Sequence, residues 1–408
     1  MLALRPALRV AAVATTFLAL PWCLWARVPA PTLELWYIAA LVNERRVLVV
    51  LVLLVAFGVD AATARRRRTW GLLARGALVL LAVASSAELE VRAWRGAREA
   101  GVELDAAAYL TAPFDDVGEP AATLEFARAE GRPLLADLWL PATTAGPRRP
   151  AVVRVHGGSW AFGERSESPH LDRFLTDLGF VVFDVDYRLV PPPRWRDAVV
   201  DVRTAVAWVR ANAARFDVDP ERVVLMGSSA GAHLALVAAF ASNDGPFAVE
   251  GDASVAAVVA ISPPVDLTIG FTADYPWWTP SDLRSTRRVE DFVGGTPDEL
   301  PERYRVASPL GHVTAGSPRT FLAHGARDLL VWPENSRRLA AALEAHGVEH
   351  ELLLLPACDH LFERAAGGWG TQVLEGRLEA FLVDGDPLQG PSSSTSTDPR
   401  RSGRTDVR

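Results

Sequence analysis

The stretch Val223-Val224-Leu225-Met226-Gly227-Ser228-Ser229-Ala230-Gly231-Ala232-His233-Leu234-Ala235-Leu236 decides how the chain is read. A short apolar run meets a pentapeptide of small side chains, G-x-S-x-G, and an apolar stretch follows. This order predicts a buried strand over Val223 to Met226, a sharp turn, and a helix over Ala232 to Ala241. Such a turn holds its middle serine in strained backbone geometry only if the flanking side chains are small, and the helix behind it stabilises negative charge at its N-terminus. Ser229 is therefore the candidate nucleophile.

Working outward, strand-length runs alternate with helix-length stretches, which predicts an α/β domain over residues 115–384 with a mostly parallel eight-stranded sheet and helices on both faces. The expected strands are Leu124 to Ala127, Leu134 to Leu140, Ala151 to Val155, Phe180 to Val185, Val223 to Met226, Val255 to Ile261, Thr320 to Ala323 and Leu352 to Leu355. The first two read as an antiparallel hairpin around Glu130-Gly131, and the others as buried parallel strands. Asp197 to Phe216 and Pro333 to His346 carry apolar residues at helical spacing, as crossover helices do. Residues 385–408 are rich in Ser, Pro, Gly and Arg, with too little apolar surface to pack, and are expected to be disordered.

A serine hydroxyl needs a base, and the base needs a third group to orient it. When the serine sits on this kind of turn, the acid and the histidine follow it in sequence, on loops at the carboxyl ends of later strands. His346 and His350 precede a strand and lie on the wrong side of the sheet, whereas His360 lies just past the last strand. Asp328 follows the strand Thr320 to Ala323, Asp266 is the reserve acid, and Asp359 is too close to His360 to orient its ring. The other role open to Asp328 is that of a turn former. Directly after Ala151 to Val155 comes His156-Gly157-Gly158-Ser159-Trp160, whose two glycines let the backbone approach a substrate. The N–H groups of Gly157, Gly158 and Ala230 are the expected oxyanion donors, with His156 bracing the loop. This chemistry calls for no metal and no organic cofactor.

Composition bounds the remaining readings. There are 42 basic and 49 acidic side chains, a formal charge of −7, which disfavours a nucleic-acid binder. Two cysteines far apart in sequence, Cys23 and Cys358, cannot make a disulfide framework. Every basic residue is Arg, and 13 of the 42 fall in the first 100 residues beside only 6 acids. That head, residues 1–95, holds three apolar runs, 10–26, 47–62 and 71–87, each near the lower length limit for a membrane-spanning helix. No charge pair is evident inside them, so the head reads as an anchor. Arg65 to Arg68, with Arg5 and Arg9, belong on the cytoplasmic side, which puts everything after Ala87 outside. Alternatively residues 1–30 are a cleaved signal ending at Val28-Pro29-Ala30, with the same downstream topology, or the runs are buried helices of a soluble protein. Trp22, Trp25, Trp36 and Tyr37 read as an interfacial aromatic belt.

Taken in order, HGGSW, DYRLVPPPRW, DVRTAVAWVRANAARFDVDPERVVLMGSSAGAHLAL, HGARD and ACDH resemble the hormone-sensitive-lipase-like α/β-hydrolases, most of all their membrane-attached bacterial carboxylesterases. The resemblance spans about Pro150 to Leu382. It implies an α/β-hydrolase fold with Ser229, Asp328 and His360 as the triad, and Gly157, Gly158 and Ala230 as the oxyanion hole. Ser159 replaces the third glycine common in that family and resembles an HGG-x-W variant of formamidases and feruloyl-type esterases, which leaves ester and amide substrates both open. A cap insertion is expected over 266–307, where Phe271, Tyr275, Trp277, Trp278 and Phe292 either line an acyl pocket or pack the insertion on the body. Trp160 and Trp195 pose the same choice. The expected substrate is a small-molecule or lipid ester, and a non-catalytic scaffold is the reading from another class.

Overall fold

The computed structural model describes residues 4–64, 69–112, 116–142, 148–272, 277 and 279–384. Arg65 to Arg68, Tyr275, Trp278 and the tail 385–408, all read from sequence above, lie outside the described residues. Eight strands form one sheet: β1 (Ala122–Ala129), β2 (Arg132–Trp139), β3 (Arg149–Val155), β4 (Val181–Val185), β5 (Val218–Ser228), β6 (Ala257–Ile261), β7 (Arg319–Gly325) and β8 (His350–Leu355). Their spatial order is β1-β2-β4-β3-β5-β6-β7-β8. β1 and β2 make the expected hairpin, closed by Glu130 and Gly131 at positive φ, and β2 pairs antiparallel with β4. All other pairings are parallel.

Four helices precede the sheet: α1 (Leu4–Trp25), α2 (Leu33–Asn43), α3 (Arg46–Thr63) and α4 (Thr69–Glu99), followed by the short α5 (Ala106–Thr111). Within the α/β body come α6 (Pro169–Asp177), α7 (Asp197–Ala211) and α8 (Ala230–Phe240). The remainder are α9 (Ile269–Thr272), α10 (Thr286–Val293), α11 (Pro301–Ala307), α12 (Glu334–Ala345) and α13 (Trp369–Glu379). The helix expected over Asp197 to Phe216 stops at Ala211 and gives way to a single 3-10 turn, which Asp217 ends in the left-handed conformation.

Val152, Val181, Val182 and Val259 are fully buried, because helices cover both faces of the parallel strands. One apolar core lies between the sheet and α7, α8 and α12, and a second between the sheet and α6 and α13. Arg154 crosses the second core and holds Asp172 at 2.7 Å and Asp184 at 2.5 Å. Three arms, β3, α6 and β4, are thus tied by one guanidinium.

The head differs from its sequence reading in two respects. By length and composition Pro6–Trp25, Arg46–Thr63 and Trp70–Glu99 can each cross a membrane, and the last is far longer than expected. At 1.5 Å per residue, α4 runs about 46 Å, well beyond a ~30 Å hydrocarbon core, so its C-terminal turns reach the body. There Trp94 meets the Trp369 ring, whose Nε1 donates to Glu90 at 2.8 Å. Second, a charge pair does exist inside the runs: Asp60 of α3 pairs with Arg75 at 2.6 Å, and Arg9, just before the first run, joins it at 3.0 Å. The three residues come from three helices, which is why no local pattern in the chain reveals the cluster.

Candidate active site

Ser229 sits between β5 and α8 with φ 52° and ψ −118°, a conformation that costs a non-glycine residue on the order of 1–3 kcal/mol. Contact explains its glycine neighbours. A Cβ on Gly227 would lie 2.4 Å from the carbonyl of Gly231, and one on Gly231 would lie 2.2 Å from Val155 O. The turn is thereby pressed between its own helix and the end of β3, and Ser229 N–H donates to Ile261 O at 2.7 Å, tying it to β6.

The loop after β8 brings His360 to the serine, with Nε2 2.8 Å from Ser229 Oγ. On the other side of the ring, Nδ1 lies 2.6 Å from Asp328 Oδ2. Asp328 follows β7, and its Oδ1 accepts the backbone N–H groups of Leu330 at 2.9 Å and Val331 at 2.8 Å. His324, four residues earlier, places Nε2 3.2 Å from Oδ2, so the carboxylate is held on all sides. Burial alone would raise the Asp328 carboxyl, but His360 and His324 outweigh it and hold it down at about 2. For His360, burial pushes toward the neutral ring, yet the Asp328 carboxylate overcomes it and the net shift is upward from 6.5. Asp359 serves the main chain, accepting the N–H of His360 at 2.9 Å; burial and the Asp328 charge raise its carboxyl to about 7. The reserve acid Asp266 lies elsewhere, accepting from Thr268 at 2.6 Å and pairing with Arg338 at 3.1 Å.

Gly157 packs on the serine: a Cβ there would stand 3.5 Å from Ser229 Cβ. Gly158 has φ +112°, and any side chain would collide with Phe162 O at 1.9 Å. Ala230 opens α8, so its N–H is one of the helix's unsatisfied N-terminal donors. Under the loop, the His156 ring stacks on Tyr187 at 4.4 Å with Nδ1 2.7 Å from Gly157 O, and burial lowers its pKa to about 4. A neutral, packed ring of this kind braces the loop. Glu363, buried beside His360, bonds to Ser228 next to Ser229; burial raises its carboxyl.

The aromatic residues divide. Trp160 is buried, donates its indole N–H to His233 Nδ1 at 3.2 Å and stacks on Phe292 of α10 at 4.5 Å. Phe271 packs against Tyr304 of α11, while Trp277 is 87% exposed. Two contributors were not singled out from sequence. His324 had only its HxxxD spacing to Asp328 as a signal. Trp36 of α2, read as part of an interfacial belt, lies 6.2 Å from the His360 ring, centroid to centroid, and no periodicity announces that.

A family model described as BD-FAE matches residues 136–343, just over half of the chain. The chain belongs to the BD-FAE family. Esterase LipC of Mycobacterium tuberculosis is 33% identical to this BD-FAE member over 244 residues, 57% of this chain and 58% of LipC. Esterase LipQ of the same organism is 33% identical over 248 residues, covering 58% of this chain and 56% of LipQ. The chain thus matches somewhat over half the length of these curated relatives. Among solved structures, the thermophilic esterase Est2 of Thermogutta terrifontis superposes with a TM-score of 0.55 at 25% identity, over 68% of this chain and 96% of Est2. The α/β-hydrolase resemblance carried by the five motifs is borne out, and this BD-FAE chain has the α/β-hydrolase fold.

Proposed function

We propose that the protein is a serine hydrolase of carboxylic esters, anchored in a membrane by α1, α3 and α4 with its α/β domain on the extracytoplasmic side. The reading is carried by one observation: Ser229 Oγ, the His360 ring and the Asp328 carboxylate form an unbroken hydrogen-bonded chain of 2.8 and 2.6 Å. In this mechanism Ser229 Oγ attacks the ester carbonyl carbon while His360 Nε2 takes its proton. Asp328 keeps the other ring proton on Nδ1 and stabilises the imidazolium. The N–H groups of Gly157, Gly158 and Ala230 receive the developing oxyanion, each such donor being worth roughly 3–4 kcal/mol in the transition state. His360 then hands its proton to the departing alcohol, leaving an acyl ester on Ser229, and a water activated by the same ring releases the acid.

The anchor and its orientation are supported by the three long apolar helices and by the arginine run Arg65 to Arg68, which favours the cytoplasmic side. The esterase names of the relatives support the choice of ester over amide. The experiment is hydrolysis of p-nitrophenyl esters from acetate to palmitate by the full chain in detergent, beside Ser229→Ala and beside p-nitroanilides of the same acids. Ester turnover that falls by about 10⁶ in the variant is expected. Equal turnover by Ser229→Ala, or turnover of anilides alone, would overturn the reading.

A further inference from the structure

Helix α2 lies between the first two membrane-length helices in sequence and touches both, and it also packs on the catalytic loops. Trp36, 2% exposed, packs with Ala30 and Ala39 against Leu330 and Val331 of the acid loop and Leu283 of the insertion. The same ring faces His360 at 6.2 Å. The next residue, Tyr37, meets Phe162 edge-on at 6.4 Å and hydrogen-bonds Ser159, both in the loop that follows Gly157 and Gly158. One turn of α2 therefore touches the loops of the base, the acid and the oxyanion donors. On the outer side of the same helix, Ile38 and Leu41 are exposed, as is Phe162 at its edge, so an apolar rim joins the flanking spans to the site. An independent feature points to a ligand: the indole N–H of Trp36 is buried and has no hydrogen-bond partner among the described residues. Leaving such a buried donor empty carries a desolvation penalty that a bound oxygen would relieve.

We propose that α2 is the substrate-selecting wall of the catalytic cleft, that it admits esters whose hydrocarbon chain is dissolved in the bilayer, and that Trp36 is its specificity residue, its indole N–H donating to an oxygen of the bound ester. This rests on the hydrolase reading above. The bilayer is the natural source of such a substrate because α2 is continuous with α3 through Glu44 and Arg45, so the wall stands where the spans leave the membrane. A membrane-dissolved chain keeps its apolar contacts all the way to Ser229.

The test uses the full chain in phosphatidylcholine nanodiscs, with p-nitrophenyl butyrate as the water-soluble probe and p-nitrophenyl palmitate as the bilayer-dissolved one. The unaltered protein should favour palmitate at least tenfold in kcat/KM. Trp36→Ala should shrink that ratio at least tenfold, and Trp36→Phe, which keeps a ring but loses the donor, should raise KM about two- to tenfold with kcat held. A merely structural ring would lower the folded fraction and so kcat for both esters alike. If Trp36→Ala does not fold, the KM of Trp36→Phe decides. A preference for butyrate, or a ratio and KM that Trp36 variants leave within twofold, would overturn the inference while Ser229-dependent turnover stands. Turnover that survives Ser229→Ala would instead overturn the hydrolase reading itself.

Discussion

Asp328→Asn isolates what the buried carboxylate does for His360. The native oxygens accept from three groups, Leu330 N, Val331 N and His360 Nδ1, while His324 Nε2, bonded to Val331 O at 2.8 Å, stands 3.2 Å away. An asparagine has one acceptor oxygen. Two backbone N–H groups are fixed in front of Oδ1, so the amide oxygen stays there and the NH₂ group turns to His360. An NH₂ group can only donate, which makes Nδ1 the acceptor and puts the ring proton on Nε2. That nitrogen then cannot take the Ser229 proton across 2.8 Å. The same tautomer change in serine proteases lowers kcat by about 10⁴, or roughly 5.5 kcal/mol at 1.36 kcal/mol per tenfold. The pH profile supplies an independent sign. In the proposed mechanism turnover needs neutral His360, so in the native protein it rises with pH through a pKa that lies above 6.5, since Asp328 outweighs burial. Without the carboxylate, burial is opposed only by the weaker pull of Glu363 and Asp359 and moves that limb to lower pH. Stopped-flow and steady-state p-nitrophenyl butyrate hydrolysis from pH 4 to 9 measures both effects. A loss under about thirtyfold with an unmoved acid limb would refute the assigned role.

Three further outcomes are expected. Gly158→Ala should cut kcat by about 10²–10³, because a Cβ cannot stand 1.9 Å from Phe162 O without displacing the loop and its donors; burst and steady-state kinetics read this directly. Arg154→Leu leaves Asp172 and Asp184 buried without their cation and should destabilise the fold by about 3–5 kcal/mol in urea titration, much of which should return when both acids are also made apolar. An alkaline phosphatase reporter joined after Leu382 should be active, since that enzyme matures only outside the cytoplasm; an inactive reporter beside an active cytoplasmic one would invert the proposed topology.

Local physics made much of the molecule readable in advance. The hairpin at Glu130-Gly131 needed only two strand-like runs and a turn, and the buried parallel strands needed only β-rich apolar runs with helices between them. The turn at Ser229 was legible because its glycines answer to close approach within a few residues, and strand-end position singled out His360 and Asp328 among the candidates. Other features had no local signal. The Asp60 cluster joins residues 51 and 15 apart, and His324 became a brace only once the loop after β7 curled back onto Asp328.

What the sequence by itself determined is the kind and order of the elements and the short list of reactive groups, because periodicity, turn chemistry and side-chain size act over a few residues. Tertiary structure alone decided which groups meet. Ser229 and His360 are 131 residues apart, and only the parallel order of β5, β6, β7 and β8 sets their loops side by side at one edge of the sheet. It also decided that α2, apolar enough to pass for a piece of the anchor, packs Trp36 against His360. Hydrophobic burial is non-directional, so the sequence specifies that such a helix must be covered, and the shape of the folded surfaces specifies what covers it.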